Sequence, residues 1–235
     1  MSELHPLSWF DELAAINEYS EIEGWLFKQL EQYGFPLLLF GNLSNPGSGM
    51  ITNFPDEWMQ RFAKKDYIYQ DAPAQHCFKS ITPIIWQEAY DMPQATITAK
   101  KILNEAESFG LRNGLSIPVV ANSNRSVLSI CYDGKNIDFR YFISKSILTL
   151  IGLTQTFQWK LLNSFSTEFF DLPKLNKRQI DCLHYLSNGY TNKEIASFMK
   201  LSHYTVTDII CELLKVLNAS NRTEAVMLAI KQGII

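Results

Sequence analysis

The sequence lacks the residue patterns that most kinds of catalysis and metal binding require. It has only four His and four Cys among 235 residues, and no two Cys have the C-x-x-C spacing of metal and redox sites. It contains no glycine-rich phosphate loop, no H-E-x-x-H motif and no nucleophile motif. We therefore expect no catalytic residue, no metal ligand and no cofactor, and the sequence argues against an enzyme.

Long apolar runs are also missing. No stretch approaches the roughly 20 apolar residues that a membrane-spanning helix needs, and the first residues do not have the pattern of a signal peptide. The four cysteines are expected to pack as buried thiols in a reducing compartment. These features predict a soluble, cytoplasmic protein that has no membrane partner.

Charge is scarce and unevenly distributed. The formal net charge is −3, but from Lys174 onward eight Lys and Arg stand against five Asp and Glu. The preceding residues carry 13 cations and 19 anions. A weakly basic tail on an acidic body favours DNA binding by the tail.

The pattern of apolar residues predicts an α+β protein with two domains. In the first domain, residues 1–163, helices are followed by strands and then by a long helix, which indicates an α/β/α sandwich with an antiparallel sheet. Residues 164–174 are predicted to be a linker, and residues 175–235 a unit of four helices. The main predicted elements of the first domain are a strand at 35–40, helices at 56–65 and 98–109, strands at 115–120 and 127–132 joined by a turn at 122–125, and a helix at 143–162.

The helices of residues 175–235 have explicit start signals. Asn176 and Thr191 are each followed three residues later by Gln or Glu, which is the pattern of a capping box, and Asn221 and Glu224 repeat it. Ser202 is predicted to be the N-cap of the longest helix. A short helix, a turn and a second helix indicate a helix-turn-helix, although spacing alone also fits a generic helical bundle.

The residues themselves distinguish these two alternatives. "TNKEIASFMKLSHYTV" and "NASNRTEAVMLAIKQG" resemble the DNA-binding domain of LuxR-type transcription factors, and the resemblance covers residues 175–235. It implies that the helix after Ser202 reads bases in the major groove. The residues expected to contact DNA are Thr191, Asn192, Lys193, Ser202, Tyr204, Thr205, Val206, Thr207, Lys215 and Arg222.

The first domain resembles the acyl-homoserine-lactone-binding domain of the same family. The resemblance rests on the spacing of Trp58, Phe62, Asp71 and Trp86 and on Gly114 within "FGLRNGLSIPV". It implies that Trp58 donates to the lactone carbonyl, that Asp71 accepts from the ligand amide, and that Trp86 packs on the lactone ring. Gly114 would shape the pocket wall. The ligand-binding residues are expected to be Phe54, Trp58, Phe62, Asp71, Trp86, Gly114 and Ser129.

Chemistry independent of the resemblance points the same way, because Trp is only a donor and ionised Asp only an acceptor. Together they suit a ligand that has both a carbonyl and an amide N–H. The sequence departs from the family at Phe54 and Phe62, where Tyr is usual, and at Ala72, where Pro is usual. These changes could weaken lactone binding, redirect it to another acyl length or replace the ligand, unless water or Ser129 serves the acyl carbonyl.

The predicted reading helix also departs from the family. Thr207, Ile209 and Glu212 stand where the family has Lys, His and Asn, and Asp208 adds a further negative charge. Lys215 is the only Lys or Arg in this helix. We therefore expect phosphate contacts on this face to be few.

The resemblance implies a ligand-responsive transcription regulator that senses an acyl-homoserine lactone or a related amphiphile. It would be a homodimer on a pseudo-palindromic operator and could contact RNA polymerase. The alternative is a receptor or antagonist with little DNA affinity, which acts by dimerising with other regulators. A phosphorylation-driven response regulator would need parallel βαβ units, and the sequence does not have that alternation.

Overall fold

A computed structural model describes residues 8–46, 48–121, 124–132 and 139–235. The chain forms two compact units, and the boundary between them in sequence lies between Phe170 and Asp171. Among the described residues, no helix is long and apolar enough to cross a membrane.

The first unit contains nine α-helices and five strands in the part of the chain that the structure describes. In chain order these are α1 (Ser8–Ala15), α2 (Tyr19–Gln32), β1 (Leu37–Asn42), β2 (Met50–Thr52), α3 (Asp56–Lys64), a 3-10 turn (Tyr67–Tyr69), α4 (Ala72–Lys79), β3 (Ile84–Ile85), α5 (Trp86–Asp91), α6 (Ile97–Ser108), β4 (Asn113–Ala121), β5 (Asn124–Tyr132), α7 (Phe139–Ser144), α8 (Ile147–Ser164) and α9 (Ser166–Phe170).

The strands form one sheet in the order β2-β1-β5-β4-β3. β1 is antiparallel to both of its neighbours, and β3 is antiparallel to β4. This confirms the predicted antiparallel sheet and differs from the parallel sheet of a response-regulator receiver. Of the predicted turn between β4 and β5, residues 122 and 123 lie outside the described residues.

Helices cover both faces of the sheet. Successive side chains of a strand point to opposite faces, so each strand contributes to both layers of packing. On β1, Phe40 packs against Phe157 of α8 with the ring centroids 4.9 Å apart. The neighbouring residue Leu39 faces a cavity on the other side, together with Ser129 of β5, with which it is paired. The α/β/α layering is therefore as predicted.

The helices of this unit differ from the prediction in several places. The long helix expected at 143–162 is divided into α7 and α8, and the Ser146 N–H bonds to Ile143 O at the break. The prediction also missed α4, for which Asp71 is the N-cap and Pro73 lies in the first turn. No helix was predicted after Asp71, although Asp followed closely by Pro is a helix-start signal.

The predicted linker contains α9, which belongs to the first unit. Phe169 of α9 is fully buried, and its ring lies 5.6 Å from that of Phe40. Gly49, in the loop between β1 and β2, has φ +56°, and a Cβ there would lie 1.8 Å from the Phe169 carbonyl oxygen. The connection to the second unit is therefore shorter than the predicted linker 164–174, because the buried side chains of α9 fix the first half of that segment to the first unit.

The second unit consists of α10 (Lys177–Ser187), α11 (Asn192–Met199), α12 (His203–Val216) and α13 (Arg222–Lys231). The capping boxes of α10 and α11 are both present, and Ser202 caps α12, as predicted. Asn221 caps α13, but Glu224 accepts from the Ser220 N–H instead of completing a box. The four-helix prediction is confirmed.

The cysteines follow the prediction with one exception. Cys77, Cys131 and Cys182 are buried, and burial raises the pKa of Cys77 to about 12. Such thiols are poor nucleophiles at neutral pH. The prediction was wrong for Cys211, which is exposed because its position on α12 faces away from the core of the second unit.

We expect two glycine substitutions to have opposite effects on stability. Gly49→Ala should lower the free energy of unfolding by about 2 kcal/mol or more, because a side chain there is strained at positive φ and overlaps Phe169. Gly24→Ala should raise it by about 0.5–1 kcal/mol, since Gly24 is a helical position with free space around it. Urea unfolding of the full chain measures both, and equal effects would contradict the close approach of α9 to this loop.

Candidate functional site

A cavity of about 100 Å³ lies between the sheet and the segment that runs from α3 to α6. Six of the seven predicted ligand residues line it, namely Phe54, Trp58, Phe62, Asp71, Trp86 and Ser129. The seventh, Gly114, lies directly behind the Trp86 ring, where a Cβ would be 2.1 Å from the ring atom Cδ2. Glycine is thus required for Trp86 to lie flat against β4, and the structure brings all seven positions together.

Asp71 supplies the charged acceptor of the cavity. Its Oδ2 accepts a hydrogen bond of 3.0 Å from the Ala74 N–H at the start of α4, and its Oδ1 accepts a short one from the Tyr90 O–H. A carboxylate has about four acceptor positions, so the two oxygens keep capacity for a further donor. The side chain therefore both fixes α4 and can receive a ligand N–H.

Burial also changes the acidity of this pair. Desolvation raises the pKa of Asp71 above its usual value, although the hydrogen bonds from Tyr90 and Ala74 act in the opposite direction. Burial and the neighbouring carboxylate raise the pKa of Tyr90. Tyr90 consequently remains a donor, and the protonation of Asp71 becomes sensitive to what it contacts.

A chain of hydrogen bonds crosses the cavity wall from Trp86 to Ser129. The Trp86 indole N–H donates to Ser116 Oγ at 2.9 Å, and Ser116 Oγ lies 2.8 Å from Ser129 Oγ. Since indole is only a donor, Ser116 must accept from it. When Ser116 in turn donates to Ser129, the Ser129 hydroxyl proton is available to a carbonyl oxygen in the cavity.

Trp58 supplies an indole donor on α3. Its ring packs against those of Phe62 and Phe109, with centroids 5.6 and 5.7 Å away. Among the residues that the structure describes, its Nε1 makes no hydrogen bond, whereas Trp86 is bonded to Ser116. The two tryptophans thus differ, because the indole N–H of Trp86 is already bonded whereas that of Trp58 is available to a ligand.

The sequence analysis missed two polar residues of the cavity, Tyr90 and Ser116. Each carries a hydroxyl, whereas Phe54 and Phe62 do not. Spacing could have indicated both: Tyr90 lies one helical turn after Trp86, and Ser116 lies two residues after Gly114 on the same face of a strand. The hydroxyl groups that line the cavity are therefore on α5 and on the sheet.

The predicted DNA-binding residues lie in and around α11 and α12. Thr191 and Ser202 serve as N-caps, and their side chains accept from the Glu194 and Thr205 N–H groups. Asn192 Nδ2 donates to Thr207 Oγ1 at 3.2 Å, which ties the two helices together. These side chains hold the helix-turn-helix in shape, and their polar edges remain at its surface.

One DNA-binding assignment was wrong. Val206 is fully buried in the core of the second unit, because it lies on the side of α12 that packs against α10 and α11. Its side chain cannot contact DNA. Lys193, Tyr204 and Lys215 are exposed, and Arg222 is also at the surface, where it donates to Tyr190 O at 3.0 Å.

Each unit of the chain matches a known protein family. Residues 20–161 match the model of the autoinducer binding domain, and residues 173–229 match that of the luxR family of bacterial regulatory proteins. The chain is 25% identical over 247 residues to the transcriptional activator protein AnoR of Acinetobacter nosocomialis, covering 97% of this chain and 99% of AnoR.

Two solved structures share the fold. SdiA in complex with octanoyl-rac-glycerol matches with a TM-score of 0.75 at 20% identity, covering 100% of this chain and 98% of that one. The N-acylhomoserine-lactone-dependent LuxR-family factor CepR2 of Burkholderia cenocepacia matches with a TM-score of 0.58 at 21% identity, covering 68% of this chain and 96% of CepR2.

The family consists of transcriptional regulators, which confirms that the chain is not an enzyme. With an autoinducer-binding domain followed by a helix-turn-helix unit, the chain belongs to the LuxR family of quorum-sensing transcriptional regulators.

Proposed function

We propose that this regulator binds an N-acyl-homoserine lactone in the cavity of its first unit and acts on DNA as a cytoplasmic homodimer. The observation that carries the proposal is the pair formed by the Asp71 carboxylate and the Trp58 indole in one apolar cavity. A buried acceptor and a buried donor need a ligand that offers both an N–H and a carbonyl.

The contacts of the lactone follow from the hydrogen-bonding capacity of each side chain. The ligand amide N–H binds to Asp71, the lactone carbonyl accepts from Trp58, and the ring lies against Trp86. The acyl carbonyl accepts from the Ser129 hydroxyl, which keeps its proton available for the ligand when Ser116 donates to Ser129. Phe54 and Phe62 then contact only apolar parts of the ligand.

The acyl chain extends from the cavity into an adjoining groove. The cavity volume of about 100 Å³ is below the roughly 300–1,000 Å³ typical of ligand pockets. A groove of about 450 Å³ shares five wall residues with it, namely Leu39, Met59, Phe62, Ile68 and Val127. A small shift of these side chains would join the two spaces, which favours a ligand with a medium-length chain.

The homodimer is supported by an apolar stripe on α8. Leu148 and Trp159 are three helical turns apart on one side of the helix and are 82% and 44% exposed. Phe10 of α1 extends the stripe, with its ring 5.5 Å from that of Trp159. A two-fold dimer would present two reading helices to a pseudo-palindromic operator. An activator at such a site would also contact RNA polymerase, and AnoR is named as a transcriptional activator.

A second candidate function is favoured by the surface of α12. Asp208 and Glu212 are exposed there, and Lys215 is the only Lys or Arg in the helix. Carboxylates facing phosphates weaken binding, so the chain would then act by forming dimers with other regulators. The salt dependence of DNA binding distinguishes the two functions, because absence of a specific complex at low salt supports the second.

Octanoyl-homoserine lactone should raise the melting temperature of the first unit. At 100 times its dissociation constant a ligand adds about 2.7 kcal/mol of stability, or about 5–10 °C for a domain of this size.

Trp58→Phe should weaken lactone binding by about 2–10-fold, because it removes one hydrogen bond and keeps an aromatic ring. Octanoyl-glycerol is the control ligand, because it has the same acyl chain as the lactone but no amide N–H for Asp71. If no lactone shifts the melting temperature at any chain length, the proposed ligand is wrong.

Lactone binding should strengthen as the pH rises. Because the pKa of Asp71 is raised in the folded chain, the protonated carboxyl stabilises the unliganded fold. This stabilisation is fully present below the pKa of Asp71 in the unfolded chain and is lost as the pH rises through its pKa in the folded chain. The ligand N–H favours the ionised form instead. Calorimetry should therefore show affinity falling by up to about tenfold per pH unit below the folded pKa. Asp71→Asn should lack this dependence, and an unchanged pH profile in that variant would exclude Asp71 as the acceptor.

Leu148→Lys should shift the chain from dimer to monomer in analytical ultracentrifugation, because it places a charge in the α8 stripe. Ile97→Lys is the matched control, since Ile97 is equally exposed but lies on α6. A dimer that survives Leu148→Lys places the interface elsewhere.

A further inference from the structure

The solvent face of α12 is unusual for a helix that reads DNA, because its central position is acidic. Tyr204, Asp208, Cys211 and Lys215 are spaced at three or four residues and are all exposed, so they form one stripe along the helix. In a helix-turn-helix, residues in the amino-terminal part of the second helix contact base edges. Tyr204 and Asp208 lie in that part, whereas Lys215 lies near the carboxyl end.

The polar residues beside the stripe are engaged within the unit. Thr207 Oγ1 donates to the His203 carbonyl at 2.9 Å and accepts from Asn192. Glu212 Oε2 lies 3.5 Å from the amide nitrogen of Gln179, which turns its carboxylate towards α10. Asp208 differs from both, because within the described parts of the chain its carboxylate makes no hydrogen bond or ion pair.

A free carboxylate in the major groove discriminates between bases. It can only accept, so it suits the exocyclic amino groups of cytosine and adenine and is repelled by the acceptors of guanine and thymine. Adenine presents its N7 acceptor beside the amino group, and this atom repels the second carboxylate oxygen. Cytosine presents no acceptor next to N4, so the carboxylate favours cytosine.

We infer that Asp208 is a specificity-determining residue that reads a cytosine N4 amino group in each operator half-site. The inference rests on the proposed binding of DNA by α12. Asp208 would then lower the affinity of the stripe for phosphates in general and create a preference for one base pair. This preference should be at least about fivefold over the other bases, which is the lower limit for a good side-chain–base contact.

The test is selection from a random duplex library at low salt by the full chain, with and without octanoyl-homoserine lactone. Asp208→Asn should change the preferred base from cytosine to adenine at one position of each half-site, because an amide can donate to N7 and accept from the amino group. Glu212→Gln is the matched control. It removes the same charge one turn later and should raise affinity for all sequences without changing any base preference. Thermal melts verify that both exposed substitutions leave the fold intact.

Three results are possible. A change confined to one position in Asp208→Asn, absent from Glu212→Gln, supports the assignment. Identical preferred sequences for the original chain and Asp208→Asn overturn it and leave the DNA-binding function in place. Failure of the original chain to select any sequence overturns both, and favours the regulator that acts through dimerisation.

Discussion

A buried carboxylate organises the ligand-binding unit. Asp71 joins the amino terminus of α4 to Tyr90 of α5, and so connects two helices that form one wall of the cavity. A buried charge is costly unless hydrogen bonds compensate it. The compensation here is partial, because desolvation outweighs the hydrogen bonds and the pKa remains raised. A ligand N–H would complete it, which gives the site a physical reason to favour an amide-containing signal.

The rest of the cavity is arranged around this residue by close packing. The missing side chain of Gly114 allows Trp86 to lie on β4, and from there Trp86 orients Ser116 and Ser129. The cavity has hydroxyl groups on the sheet and on Tyr90, whereas Phe54 and Phe62 on the α3 side have none. The hydrogen-bonding groups that line the pocket are therefore Asp71, Tyr90, Ser116, Ser129 and the indole of Trp58, and a ligand would be held between the sheet and the helices that carry them.

The second unit shows how a common scaffold can carry an unusual surface. Its side-chain caps and buried apolar residues fix the positions of α11 and α12 independently of what α12 exposes. The exposed stripe can consequently change in charge without loss of the fold. Thr207 stands where the family has Lys and Asp208 adds a negative charge, so the general attraction of this helix to phosphates is lower, and sequence preference would have to come from base contacts. With the proposed role of Asp208, affinity and specificity would be determined by different residues of the same helix.

Local rules were sufficient for much of this protein. Capping boxes and apolar periodicity predicted the four-helix unit and the layered domain, because these signals depend on neighbours in sequence. The resemblance to the family, which includes the spacing of Trp58, Asp71 and Trp86, indicated six of the residues that line the cavity. Only the tertiary structure decided that Val206 is buried and Cys211 exposed, and that α9 packs on the first unit. These outcomes depend on contacts between residues far apart in the chain, such as Gly49 with Phe169 and Trp86 with Ser116, and no local pattern encodes which distant surface a side chain will meet.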